Sequence, residues 1–119
     1  MTTEQLKERT KRVALRVVKL TSSLPRTREA DVIGRQLLRS ATSVGANYRS
    51  ACRARSKADF INKIGIVEEE ADESAYWIEL LLALNVAPNE LMYSLLSEMK
   101  ELTAIFTASG RTAKFNRHQ

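Results

Sequence analysis

Apolar residues recur along this chain at helical spacing, never in strand-like alternation, and the pattern divides into four segments. In the first, from about Thr3 to Leu24, Leu6, Val13, Val17, Leu20 and Leu24 follow one another at three-, four- and seven-residue steps. Such steps set side chains on one face of a helix. Pro25 stops it, because the residue before a proline is pushed out of the helical region. A second helix is predicted from Thr27 or Arg28 to about Ala54, with Ile33, Leu37, Ser40, Val44, Tyr48 and Ala51 on its core face. Gly45 sits mid-helix at a cost of roughly 1 kcal/mol relative to alanine, which a close approach of another helix would justify.

Ser56 opens a third helix, and Asp59 three residues on makes an acidic variant of the capping box. Its stripe is Phe60, Ile64, Val67, Ala71, Ser74, Ile78 and Leu82, and Asn85 suits its C-terminal stop. Pro88 fits the first turn of a fourth helix with the stripe Leu91, Leu95, Leu102 and Ile105, ended by Gly110. The pattern therefore predicts an all-α, up-down antiparallel four-helix bundle over residues 1–110 and a short, frayed basic tail over 111–119. No internal repeat or low-complexity linker interrupts it.

Composition narrows this picture. With 44% hydrophobic residues but only 6% aromatics, the core must be built mainly from Leu, Ile, Val and Ala. Two prolines and four glycines are too few for a turn-rich sheet protein. There is no apolar run of about 18 residues to span a membrane, and the first residues lack the apolar core of a signal peptide. A single cysteine, Cys52, excludes an internal disulfide framework and points to a reducing compartment, the cytoplasm.

Charge is distributed unevenly. Residues 1–57 hold 14 Lys and Arg against 4 Asp and Glu, a balance of +10, whereas residues 58–119 hold 5 against 10, a balance of −5. Either the basic half meets a polyanion or the halves pair with each other. On the second helix Arg28, Arg35, Arg39 and Arg53 fall in one arc opposite the core, with Arg49 at its edge. Arginine's planar fork suits phosphate oxygens or fixed carboxylates. Arg9, Arg12, Arg16 and Lys19 line one flank of the first helix with no acidic counterpart in sight, making them the better candidates for a phosphate-facing patch.

The third helix carries a second apolar stripe opposite its core: Ile66, Trp77, Leu80 and Leu84, with Glu70 and Glu73 beside it and Tyr76 near its edge. Leu15 and Val18 likewise stand off the core line of the first helix. An apolar outer stripe bordered by carboxylates reads as a subunit interface. The alternative is a helix phase displaced by a residue or two, which would make these residues core. Arg39 is contested between Glu70 and Glu73 of a neighbouring subunit and a nucleic acid.

Catalytic, metal and cofactor chemistry finds no foothold in the pattern. A di-iron bundle needs inward Glu-x-x-His pairs, and the only histidine is His118. Glu68-Glu69-Glu70-Ala71-Asp72-Glu73 spreads around its helix, and Cys52, with no histidine near it in sequence, reads as a packing residue. No glycine-rich phosphate loop, nucleophile elbow or zinc spacing is present.

Three stretches carry a family resemblance: Gln36-Leu37-Leu38-Arg39-Ser40-Ala41-Thr42-Ser43-Val44-Gly45-Ala46-Asn47-Tyr48-Arg49, then Ala54-Arg55-Ser56-Lys57-Ala58-Asp59-Phe60, then Glu70-Ala71-Asp72-Glu73-Ser74-Ala75-Tyr76-Trp77-Ile78-Glu79-Leu80-Leu81. They resemble the bacterial four helix bundle protein family, the S23-like proteins of ribosomal RNA intervening sequences. The accessory variability determinant (Avd) of diversity-generating retroelements looks like a relative. The resemblance implies a bundle assembled into a ring-like homo-oligomer, typically a pentamer. Its Avd-like branch implies RNA or DNA and a reverse transcriptase as partners. It places Arg39, Glu70, Glu73 and Trp77 among the matching positions.

The expectation is therefore a non-catalytic, homo-oligomeric bundle binding RNA or DNA through phosphate contacts. The alternative is a self-assembling scaffold for a protein partner, its arginines spent between subunits.

Overall fold

The computed structural model describes residues 1–117 and contains four helices: α1 (Thr3–Ser22), α2 (Arg28–Ala51), α3 (Lys57–Leu84) and α4 (Asn89–Arg117). Each start has a local cause. Thr2 caps α1 in a full capping box: its hydroxyl accepts the Gln5 N–H at 3.1 Å, and the Gln5 side chain accepts the Thr2 N–H at 2.9 Å. Thr27 caps α2 through the Ala30 N–H at 3.2 Å. Ser56 caps α3 through the Asp59 N–H at 3.1 Å, and the Asp59 carboxylate accepts the Arg55 N–H at 3.1 Å in return. That backbone hydrogen bond, joined by Lys63, holds the Asp59 carboxyl below the usual carboxylate range. Asn85 ends α3 in the left-handed conformation, φ 54°, which its short polar side chain tolerates.

The helices stand in a square, each beside its chain neighbours, with α4 closing on α1, in a body 51 × 21 × 21 Å. Short connections of this kind make consecutive helices antiparallel. Four apolar stripes meet along the axis, among them Val13 and Val17 of α1, Leu37 and Val44 of α2, Ile64 and Ile78 of α3, and Met99 and Phe106 of α4, all nearly or fully buried. Aliphatic burial at roughly 25 cal/mol per Å2 is the main stabilising term. One polar pair crosses this core. The hydroxyls of Ser40 and Ser74 meet at 2.8 Å, and carbonyls of Glu70 and Leu37 lie 2.8 Å and 3.3 Å away, so neither is left without a partner.

Gly45 sits where α1 and α2 approach closely: a Cβ there would come within 3.2 Å of the Thr10 hydroxyl, a tight contact that Thr10 would have to ease. Two expectations for α4 need correction. Its stripe is rotated at the start, with Met92, Leu95, Leu96, Met99, Leu102 and Phe106 buried, whereas Leu91 is 45% exposed and Ile105 only partly covered. Nor does Gly110 stop it: the helix continues to Arg117, with Gly110 buried against Ile64. The segment expected to fray is therefore helical through Arg117. His118 and Gln119 lie outside the described residues.

Candidate nucleic-acid interface

Because α1 and α2 are neighbours, several cations of the basic half of the chain gather along their shared side of the bundle. Helical phase fixes which cations reach solvent there. Lys7 and Lys11 lean from α1 towards α2, and with Arg49, Thr42 and Ala46 they line a groove of about 470 Å3 that Glu4 and Glu8 also line, Glu4 pairing with Lys7 at 3.3 Å. The small residues at the α1–α2 contact let these long side chains converge above it. Arg53 lies one turn beyond Arg49, just past the end of α2, and is exposed. Further along, Val18 and Leu38 share the lining of a second groove with Arg35, Arg28 and Arg26. Leu15 stands out on the same side, 59% exposed.

The predicted phosphate-facing residues separate into two groups. Arg9 was expected to lack an acidic counterpart, and that is corrected. Its guanidinium donates to both carboxylate oxygens of Glu98 at 2.7 and 2.8 Å and reaches Glu101 at 2.9 Å, largely shielded from water. The Glu98 hydrogen bonds raise its affinity for the proton, against the opposing effect of burial. Arg16 donates to the Ser94 hydroxyl at 2.9 Å, so it too leans on α4. Arg35 pairs with Asp31 at 3.0 Å and Arg28 with Glu29 at 3.4 Å, both exposed contacts worth well under about 1 kcal/mol each. Among the described residues, no carboxylate comes within 4.0 Å of Lys11, Arg12, Lys19, Arg49 or Arg53. Sequence reasoning missed Lys7 and Lys11. Their signal was the small pair Thr10 and Gly45, which brings the two helices together beneath them.

The α2–α3 side is built differently. Arg39 finds Glu70, at 3.3 Å, and Glu73 within its own chain. The Gln36 side chain accepts from its Nε at 3.1 Å, and the Trp77 indole donates to Glu73 at 3.0 Å. Around this cluster Ile66 and Leu84 are 37% and 44% exposed, Tyr76 is 52% exposed, and Trp77 and Leu80 are partly covered. Ile66 and Leu84 thus stand outside the core, whereas Trp77 packs partly against it. Val32 of α2 is 55% exposed as well.

Cys52 is partly buried and packs against the core beside Tyr48. Burial, with Cys52 alongside, pushes the Tyr48 phenol up to about 12. Among the described residues, no three His, Cys, Asp or Glu side chains are grouped to hold a metal ion, and no helix is long and apolar enough to cross a membrane.

The class these features define is a four-helix bundle with one basic side and one outer apolar stripe. The chain belongs to the 23S rRNA-intervening sequence protein family, whose model matches residues 3–108. It is also similar to the crystal structure of a protein with unknown function from the S23 ribosomal protein family of Bacteroides thetaiotaomicron VPI-5482. The two share 35% identity and a TM-score of 0.84, over 93% of this chain and 99% of that one. No curated protein matches. Neither description names a catalytic activity.

Proposed function

We propose that this chain is a non-catalytic, self-assembling bundle that binds RNA or DNA through phosphate contacts on its α1–α2 side. The observation that carries the reading is the set of exposed cations without an internal carboxylate: Lys11, Arg49 and Arg53 on the α1–α2 side, joined by Arg12 and Lys19 on the flank of α1 that Arg9 and Arg16 share. A protein that needed these charges only for solubility would gain as much from intermixed signs. Cations massed on one side instead raise the local potential and attract a polyanion, whose condensed counterions are released on binding. Self-assembly draws on the α2–α3 stripe, where large apolar side chains surround charges already neutralised within the chain, as the centre of a subunit interface requires.

The test is a titration of a structured RNA across a salt series, read by fluorescence anisotropy. Four to six phosphate contacts predict a log–log slope of roughly −4 to −5 between about 50 and 200 mM salt. Undetectable binding at about 50 mM salt, or binding indifferent to salt, would remove the reading.

A further inference from the structure

The last two turns of α4 lie beyond residues 3–108, which the family model matches, and they carry a group of their own. Phe115 is 65% exposed. The aromatic contacts of the described residues are Tyr48–Phe106 and Tyr76–Trp77, so no other ring covers it. Arg111 stands one helical turn before it and Lys114 directly before it, both exposed, and no acid occurs from Leu102 to the end of the chain. Lys57, at the start of α3, reaches the Asn116 carbonyl at 3.4 Å. That contact brings the α2–α3 connection to the same end of the bundle, and with it the exposed Arg53 and Arg55. The acid nearest that connection in sequence, Asp59 in the first turn of α3, is occupied by the Arg55 N–H and by Lys63. Arg53, Arg55 and Lys57 therefore share with Phe115 the end of the bundle where α2 ends, α3 begins and α4 ends.

We propose that this end of the bundle is a landing site for an unpaired nucleic-acid strand, with phosphates along Arg53, Arg55 and Lys57 and one base stacked on Phe115. The proposal rests on the phosphate-binding reading above and adds to it the form of nucleic acid. An exposed aromatic ring amid cations offers what a single strand needs: charge for the backbone and a flat surface for a base, whichever base it is. A duplex gains much less, because its bases are already stacked on one another. A protein partner would have to bring carboxylates to this end, and a second copy of the chain would make Phe115 an interface residue; both appear as outcomes below.

The experiment compares the full chain with Phe115→Ala and Phe115→Tyr. The probes are labelled oligo(U) and oligo(dT) of about 12 nucleotides and a hairpin duplex of matched charge, with light scattering in parallel. Phe115→Ala should weaken both single strands by about five- to a hundredfold, the range expected for one stacked base, and the hairpin by less than about twofold. Its salt slope should stay that of the parent, since no cation is lost, and Phe115→Tyr should restore binding. Equal losses on strand and hairpin, no loss on either, or a changed mass in Phe115→Ala would overturn the proposal. If the parent chain binds none of the probes at low salt, the phosphate-binding reading fails and this one with it. If the parent binds with a salt dependence but Phe115→Ala binds single strands equally well, only this one fails. Helicity by circular dichroism should be unchanged in both variants, because the ring is exposed near the end of its helix.

Discussion

Arg39 and Arg49 sit on one helix, both exposed, yet the two seams they face have treated them differently. Across the α2–α3 seam Arg39 is held by Glu70 and Glu73, with the Trp77 indole closing the cluster through Glu73. Across the α1–α2 seam Arg49 shares a groove with Lys7 and Lys11 and meets no carboxylate within ion-pair distance. The same side-chain chemistry is neutralised on one side and left as net charge on the other. An uneven charge along a sequence is therefore a poor guide to where a polyanion binds until internal pairing has been subtracted. Arg9 makes the same point: it lies in the most basic part of the chain but is used to tie α1 to α4.

The largest effect that could break this contrast concerns assembly. If the α2–α3 stripe joins copies of the chain, Ile66→Glu combined with Leu84→Glu should reduce the particle to a monomer by light scattering, with the helices intact. An unchanged mass would leave the stripe without its assigned role. Next in size is the α1–α4 tie. Arg9→Ala strands two carboxylates, one of them largely covered, and should cost about 2 kcal/mol by chemical denaturation. Nucleic-acid affinity should barely change, because the Arg9 charge is already taken. A loss of affinity with no loss of stability would reverse that assignment.

The fold was legible where it is local. Ser56, Asn85 and Pro88 mark boundaries through their own backbone chemistry. The stripes of α1 and α3 follow from apolar spacing except at their ends, where Leu24 lies beyond α1 and Leu81 takes the fully buried place expected of Leu82. The outer positions of Ile66 and Leu84 could be read in the same way. Gly110 misled because glycine often stops a helix; here it takes a buried place in the stripe, four residues after Phe106, beside Ile64. Met92 was passed over for Leu91 at the start of α4, where one turn offers several apolar candidates and only packing against α1 and α3 chooses between them. The pairing of Arg9 with Glu98 was not readable at all. The partners are 89 residues apart, and no helical period connects them. For the same reason Lys11 and Arg49 could be joined into one groove only after α1 and α2 had been placed side by side.

The central claim is that the α1–α2 cations, and not Arg39, face the phosphates. It is tested most directly by comparing the salt slope of RNA binding in Lys11→Ala/Arg49→Ala with that in Arg39→Ala. Removing two phosphate contacts should flatten the slope by about two units, whereas Arg39→Ala should keep the parent slope while losing about 1 kcal/mol of stability. A parent-like slope in the double variant, or a flattened one in Arg39→Ala, would contradict the account.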